Sequence, residues 1–297
     1  MPRRAPVRRS ARKTRSRPKR QLRIAKLWPS AALRQRSVRA FLRTPALLQV
    51  LIGLSILIAL CFVLNWVYQV VRKPSELFFP VSGTLYKTPA ETWREYAPIF
   101  EKHATRTMTP AFLAALAQVE GSGNPIVRTY WRWSWSNPRP FDMYRPASSA
   151  VGMYQITDGT FAEARRYCIH NHTVVEDGPW DAWRSCWFNR LYTRVVPSHA
   201  VELTAAYLDH SVAGVLEHHG ASFATLQQKQ DLAAVIHLCG AGAGDAYARR
   251  GLHLIDGERC GDQEVRGYIA RVNAMKRVFL MLAAGRERMR PADGELF

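Results

Sequence analysis

A run of 28 residues without a single charge, Thr44 to Val71, constrains this chain more than any other feature. It reads TPALLQVLIGLSILIALCFVLNWVYQVV. A helix needs about 20 residues to cross a hydrocarbon core of ~30 Å, so the run is long enough to span a bilayer. Trp66 and Tyr68 stand near its end, where amphipathic rings suit the membrane–water boundary. A cleaved signal peptide has a shorter apolar core, about 7–15 residues, followed by a small-residue cleavage site. A buried core helix of this length and purity is the weaker alternative. The reading is therefore one uncleaved transmembrane helix over 44–71.

Charge then sets an expected orientation. Of the 42 Lys and Arg residues, 16 fall within residues 1–43, which hold no Asp or Glu. The remaining 26 face 23 acidic residues, so the body is nearly balanced. The basic tail is expected to be disordered and cytoplasmic, and to attract anionic lipid headgroups. The body is then exported, which in a bacterium with two membranes means the periplasm. The formal net charge of +19 suggests a nucleic-acid binder, but it belongs to the tail and the body has no surplus for a nucleic-acid groove.

Cysteine usage agrees with export. Cys61 lies in the apolar run, and Cys168, Cys186, Cys239 and Cys260 lie in the body. An even number suggests two disulfides, for which three pairings are open. The two local pairs, 168 with 186 and 239 with 260, are favoured because each closes a short loop. A zinc site at Cys168, His170 and His172 competes, but its spacing matches no common zinc pattern.

Residues 72–90 read as a linker and 91–297 as one mostly α domain. Thr109-Pro110 predicts a helix start, a capping hydroxyl before a first-turn proline. Phe112, Leu113, Leu116 and Val119 mark one face, Glu120 closes it and Gly121 ends it. Further helices are predicted near 158–170, 180–194, 199–218, 230–240 and 262–284, with a short β stretch at 151–157. The segment 121–148 reads as a loop, dense in Tyr130, Trp131, Trp133, Trp135, Phe141 and Tyr144. Its rings are expected to build core or to offer flat apolar surfaces on which a ligand can stack.

The chemistry rests on Glu120. At a helix C-terminus the macrodipole disfavours a carboxylate, and burial acts the same way. Such a glutamate is suited to donating a proton to a leaving group. The Gly121-Ser122-Gly123 turn is expected to let a ligand approach closely. A second stretch, Ala150-Val151-Gly152-Met153-Tyr154-Gln155-Ile156, follows.

A helix ending in Glu, a small-residue turn with Asn-Pro, and this Ala-Val-Gly-x-x-Gln-Ile motif together resemble the catalytic domain of soluble lytic transglycosylases. These are relatives of goose-type lysozyme that cut peptidoglycan. The family usually has serine directly after the glutamate, whereas here Gly121 precedes Ser122. Its later motif usually reads Gly-Leu-Met-Gln, against Gly152-Met153-Tyr154-Gln155. Where the family often has Ala-Tyr-Asn-Ala-Gly, this chain has Leu238-Cys239-Gly240-Ala241-Gly242, with Gly240 at the asparagine position. Tyr268 fits a family tyrosine on a helix lining the cleft. The resemblance covers roughly residues 108–280.

The resemblance implies a mostly α, lysozyme-like domain, here behind the one transmembrane helix read from the apolar run, and a mechanism that needs no metal or organic cofactor. It implies Glu120 as the single catalytic acid and base, and Ser122, Met153, Tyr154, Gln155 and Tyr268 as substrate-binding residues. Asp142, Asp158 and Glu163 are candidates for a second carboxylate, and each reads as a surface, turn or helix-cap residue. The implied partner is the peptidoglycan glycan strand, with membrane lipid as anchor and an envelope-spanning or wall-remodelling machine as a possible client. A lysozyme-like muramidase and a silent wall-binding scaffold are the rival readings.

Overall fold

The computed structural model describes residues 44–134, 139–179, 181–182, 185–221 and 223–289. The basic tail, 1–43, lies outside the described residues, as does Trp135. Two compact units divide the chain after Cys61.

Helix α1, Ala46–Arg72, fills the apolar run and is long and apolar enough to cross a membrane. Among the described residues nothing buries its most apolar stretch, which is unlike a core helix. Cys61 on it is an exposed free thiol.

The body is mostly helical. The linker is not a free strap: it forms a 3-10 turn, Pro74–Phe78, and the short helix α2, Phe79–Ser82. Glu76 in that turn is fully buried, held by Arg128 Nη1 at 2.8 Å, Lys73 Nζ at 3.4 Å and the Trp131 indole N–H at 2.9 Å. A buried carboxylate persists only with partners of this kind. Thr88 and Glu91 then form a capping box that opens α3, Pro89–Lys102.

Helix α4, Pro110–Gly121, starts at Thr109 as the sequence predicts, with the Thr109 hydroxyl accepting from Phe112 N–H. Every residue from Ala111 to Ala117 is buried. A helix apolar all round belongs in the middle of a core, and α4 is packed between α3 and the last helix, α9, Val265–Met289. The core around it includes Phe100, Met108, Leu203, Leu232 and Phe279.

Strands β1, Trp131–Trp133, and β2, Tyr144–Pro146, form an antiparallel hairpin with Trp133 opposite Tyr144. Helix α5, Asp158–Ala164, is shorter than the expected 158–170. The chain turns instead into the hairpin β3, Tyr167–His170, and β4, Thr173–Glu176. Asn171 and His172, at φ of 49° and 62°, make the two-residue turn. Positive φ at both turn positions matches the right-handed strand twist. The helix expected over 180–194 is a 3-10 turn, Trp187–Leu191, among the described residues.

Three more helices complete the body ahead of α9: α6, Pro197–His218, α7, Leu226–Cys239, and α8, Ala241–Arg249. The last has no counterpart in the sequence reading, because two of its first four residues are glycine. Strands β5, Arg259–Cys260, and β6, Gln263–Glu264, lead into α9. Both favoured cysteine pairs are present: Cys168–Cys186 and Cys239–Cys260, with Cα separations of 5.4 and 5.5 Å. That pairing commits Cys168 to sulfur and removes it from any zinc set.

Candidate active site

Glu120 is the penultimate residue of α4, so the most deeply packed helix of the body fixes its backbone. Its side chain is 18 % exposed. The Tyr268 hydroxyl, one turn into α9, donates to Glu120 Oε1 at 2.5 Å. His237 on α7 brings Nε2 to 3.6 Å from the same oxygen. Three helices therefore converge on one carboxyl.

Tyr268 is 2 % exposed. Burial first, and then the negative charge of Glu120, push its phenol well above the usual range. It therefore stays protonated and acts as a donor to the carboxyl.

The turn after Glu120 is built for the chain's own packing. Gly121 lies against the later motif: a Cβ there would come within 2.9 Å of the Met153 Cα and carbonyl oxygen and of Val127 Cγ1. The serine that follows the glutamate in the resembled family has no room at 121. Ser122 instead takes the left-handed conformation, φ 48° and ψ 42°, and caps the helix, its N–H donating to Gln118 O. Gly123, at φ 64°, passes so close to Thr92 that a Cβ would meet its hydroxyl at 2.2 Å. Gly121 and Gly123 thus serve contact between segments of the body, where a ligand's approach was expected.

The Gly152–Gln155 turn corrects two further expectations. The Met153 and Tyr154 side chains are fully buried in the core, and the Tyr154 hydroxyl donates to the Leu113 carbonyl at 3.1 Å. Neither side chain is open to a substrate; apolar volume and a paired hydroxyl explain why both settle inside. Gln155 sits at φ 48°, with its amide nitrogen donating to the carbonyls of Gly152 at 2.9 Å and Val127 at 3.3 Å. Its side chain holds the turn. Gly240, at φ 86° and ψ 169°, joins α7 to α8 in a region essentially restricted to glycine. Backbone conformation accounts for the missing asparagine.

Of the three candidate second carboxylates, two are ion-paired. Asp142 pairs with Arg72 at 2.8 Å, Asp158 pairs with Arg194 at 2.8 Å, and Glu163 is exposed on α5. The aromatic loop faces the end of α1, where Trp133 and Tyr144 meet Phe62 and Phe141 meets Tyr68. His237 was missed by sequence reasoning. It stands three residues before Gly240, and nothing in the local pattern sets it apart from a helical surface histidine.

Among the described residues, His218, His219 and Asp245 have potential metal-ligating atoms within 4.8 Å of one another. Asp245 is already paired with His219 and Arg249, each at 2.7 Å. A groove of about 660 Å³, lined by Thr105, Arg106, His172, Asp209 and Lys229 among others, lies at the N-terminal end of α4. Glu120 is at the other end, roughly 15 Å along the helix.

No protein-family model, curated protein or solved structure matches this chain.

Proposed function

We propose that this chain is a membrane-anchored lytic transglycosylase. In this reading the body is a lysozyme-like domain, α1 spans the inner membrane, and the body faces the periplasm. Glu120 cleaves the bond between N-acetylmuramic acid and N-acetylglucosamine. The observation that carries the reading is the Tyr268–Glu120 hydrogen bond at the mouth of a rigid helix, beside the Gly152–Gln155 turn. A single carboxyl held by one neutral donor supports a one-carboxylate reading.

Glu120 first donates its proton to the glycosidic oxygen. The substrate's acetamido oxygen stabilises the positive charge that develops at the sugar carbon. The ionised Glu120 then accepts a proton from the C6 hydroxyl of the muramoyl residue as that hydroxyl attacks. The product is a 1,6-anhydro sugar, and no water is consumed. Tyr268 orients the carboxyl through one donated hydrogen bond. His237 supplies a further polar neighbour from the third helix.

The test is mass spectrometry of soluble products from purified peptidoglycan treated with the full chain in detergent. Anhydro-muropeptides support the proposal. Reducing-end muropeptides, heavier by one water, would make the protein a muramidase on the same residues. Binding to wall without products would make it a scaffold.

A further inference from the structure

The β1–β2 hairpin is not accounted for by the chemistry at Glu120, and its placement on α1 is specific. Counting back about 20 residues from Asn65 gives a hydrocarbon segment that ends at Leu64. Asn65, Trp66, Tyr68 and Gln69 then lie in the boundary layer, and Phe62 lies just inside it. The hairpin packs against this level of the helix. Tyr144 and Trp133 meet the Phe62 ring at centroid distances of 6.1 and 6.4 Å.

The polar contacts of the hairpin also suit a site with little water. The Asn65 amide donates to the Tyr144 carbonyl at 2.8 Å and the Gln69 amide to the Phe141 carbonyl at 2.6 Å. Both amides are nearly buried. Arg72 pairs with Asp142, which is 3 % exposed. Backbone groups flanking the ladder are paired as well, Ala147 N–H with Tyr130 O and Ser134 N–H with Met143 O. Unpaired backbone groups are what exclude lipid-exposed loops from the hydrocarbon region, so a paired ladder can sit against it.

The outward surface carries rings and positive charge. Tyr130 is 66 % exposed, Trp133 50 % and Phe141 43 %. Arg132, Arg139 and Arg145 accompany them. A largely apolar groove of about 640 Å³, lined by Phe62, Trp66, Tyr130 and Tyr144 among others, runs between the hairpin and the helix. Amphipathic rings with arginines belong to the headgroup boundary, and an apolar groove at that depth accommodates an acyl chain.

We propose that the β1–β2 hairpin is a second membrane anchor, seated in the lipid headgroup boundary at the C-terminal end of the span. The proposal rests on the reading of α1 as a transmembrane helix. The hairpin continues directly from Val127 and Arg128, which reach Gly121 and Val151, so this anchor also ties the candidate site to the lipid surface.

The test uses the full chain with Cys61→Ser in phospholipid nanodiscs containing phosphatidylglycerol. Nitroxide labels are placed singly at Trp133→Cys, Tyr130→Cys, Leu57→Cys and Phe223→Cys, and near-UV circular dichroism checks the fold of each. Power saturation compares accessibility to oxygen and to a nickel chelate. Both hairpin labels are expected to favour oxygen several-fold over the Phe223 label, which sits on an 87 % exposed side chain. Hairpin labels that read like Phe223 while Leu57 reads as hydrocarbon overturn the anchor alone. A Leu57 label that reads as aqueous overturns the span and the anchor together. Trp fluorescence of the otherwise native chain in brominated lipid is a second readout. Substituting Trp133→Ser and Tyr130→Ser together is expected to remove a measurable part of the quenching, and unchanged quenching contradicts the proposal.

Discussion

The Tyr268 hydroxyl reaches Glu120 Oε1 at 2.5 Å across 148 positions of sequence, joining the central helix to the last one. The bond leaves Glu120 with a buried donor on one side and a partly open face on the other. Replacing Tyr268 by Phe keeps the ring and removes the donor. We predict a loss of about 100-fold in muropeptide release, at the lower end of the range for removing one preorganised donor. The melting temperature should move little, because the aromatic packing survives. A comparable loss of both activity and melting temperature would reduce Tyr268 to a packing residue.

Gly152 adopts φ 81°, and a Cβ there would land 2.2 Å from the Arg194 carbonyl oxygen. Gly152→Ala therefore combines an unfavourable backbone region with a clash against main chain. We predict destabilisation of about 2–4 kcal/mol by denaturant unfolding. The turn it supports lies on Gly121, so activity should fall as well.

These two positions show what the sequence discloses and what it conceals. The long apolar helix, the start of α4 and both cysteine pairs are legible, because each depends on local chemistry or on simple spacing, whereas Tyr268 is singled out only by the family resemblance. Met153 and Tyr154 mislead, because a motif fixes their place in the chain but not the direction of their side chains. His237 is hidden, since only tertiary packing of α7 brings it to the carboxyl. The β3–β4 hairpin is obscured by flanking sequence that reads equally well as helix, and the Asn171-His172 turn that decides it lacks glycine.

The Cys239–Cys260 bridge ties the end of α7, two residues beyond His237, to the strand pair that opens α9 and leads to Tyr268. It closes a loop with a sequence separation of 21. Loop-closure entropy at that length amounts to about 3 kcal/mol. Replacing both cysteines with serine should lower the melting temperature. Muropeptide release should fall at temperatures where the double variant remains folded, because the Tyr268 and His237 helices lose their tether. Retained activity would show that the packing of α4 alone positions the site.

His103 is 4 % exposed, close to Glu202 at 3.5 Å and to Ser198 at 3.1 Å. Burial lowers its pKa more than the Glu202 charge raises it, and Lys102 and His199 add to the lowering. The unfolded chain thus binds the proton more readily than the native one below the ordinary histidine value of about 6.5. Stability is therefore highest above that value and declines as pH falls through it. The melting temperature in detergent should decrease on acidification through this range, and His103→Gln should lessen the decrease. An unchanged acid slope in the variant would assign the effect to other groups.

The central claim is that one carboxyl does the chemistry. The most direct test compares the full chain with its Glu120→Gln variant on purified peptidoglycan, counting anhydro-muropeptides by mass spectrometry. Anhydro products are expected from the native chain and none above background from the variant, with both proteins folded and bound to wall. Anhydro products released equally by Glu120→Gln would contradict it.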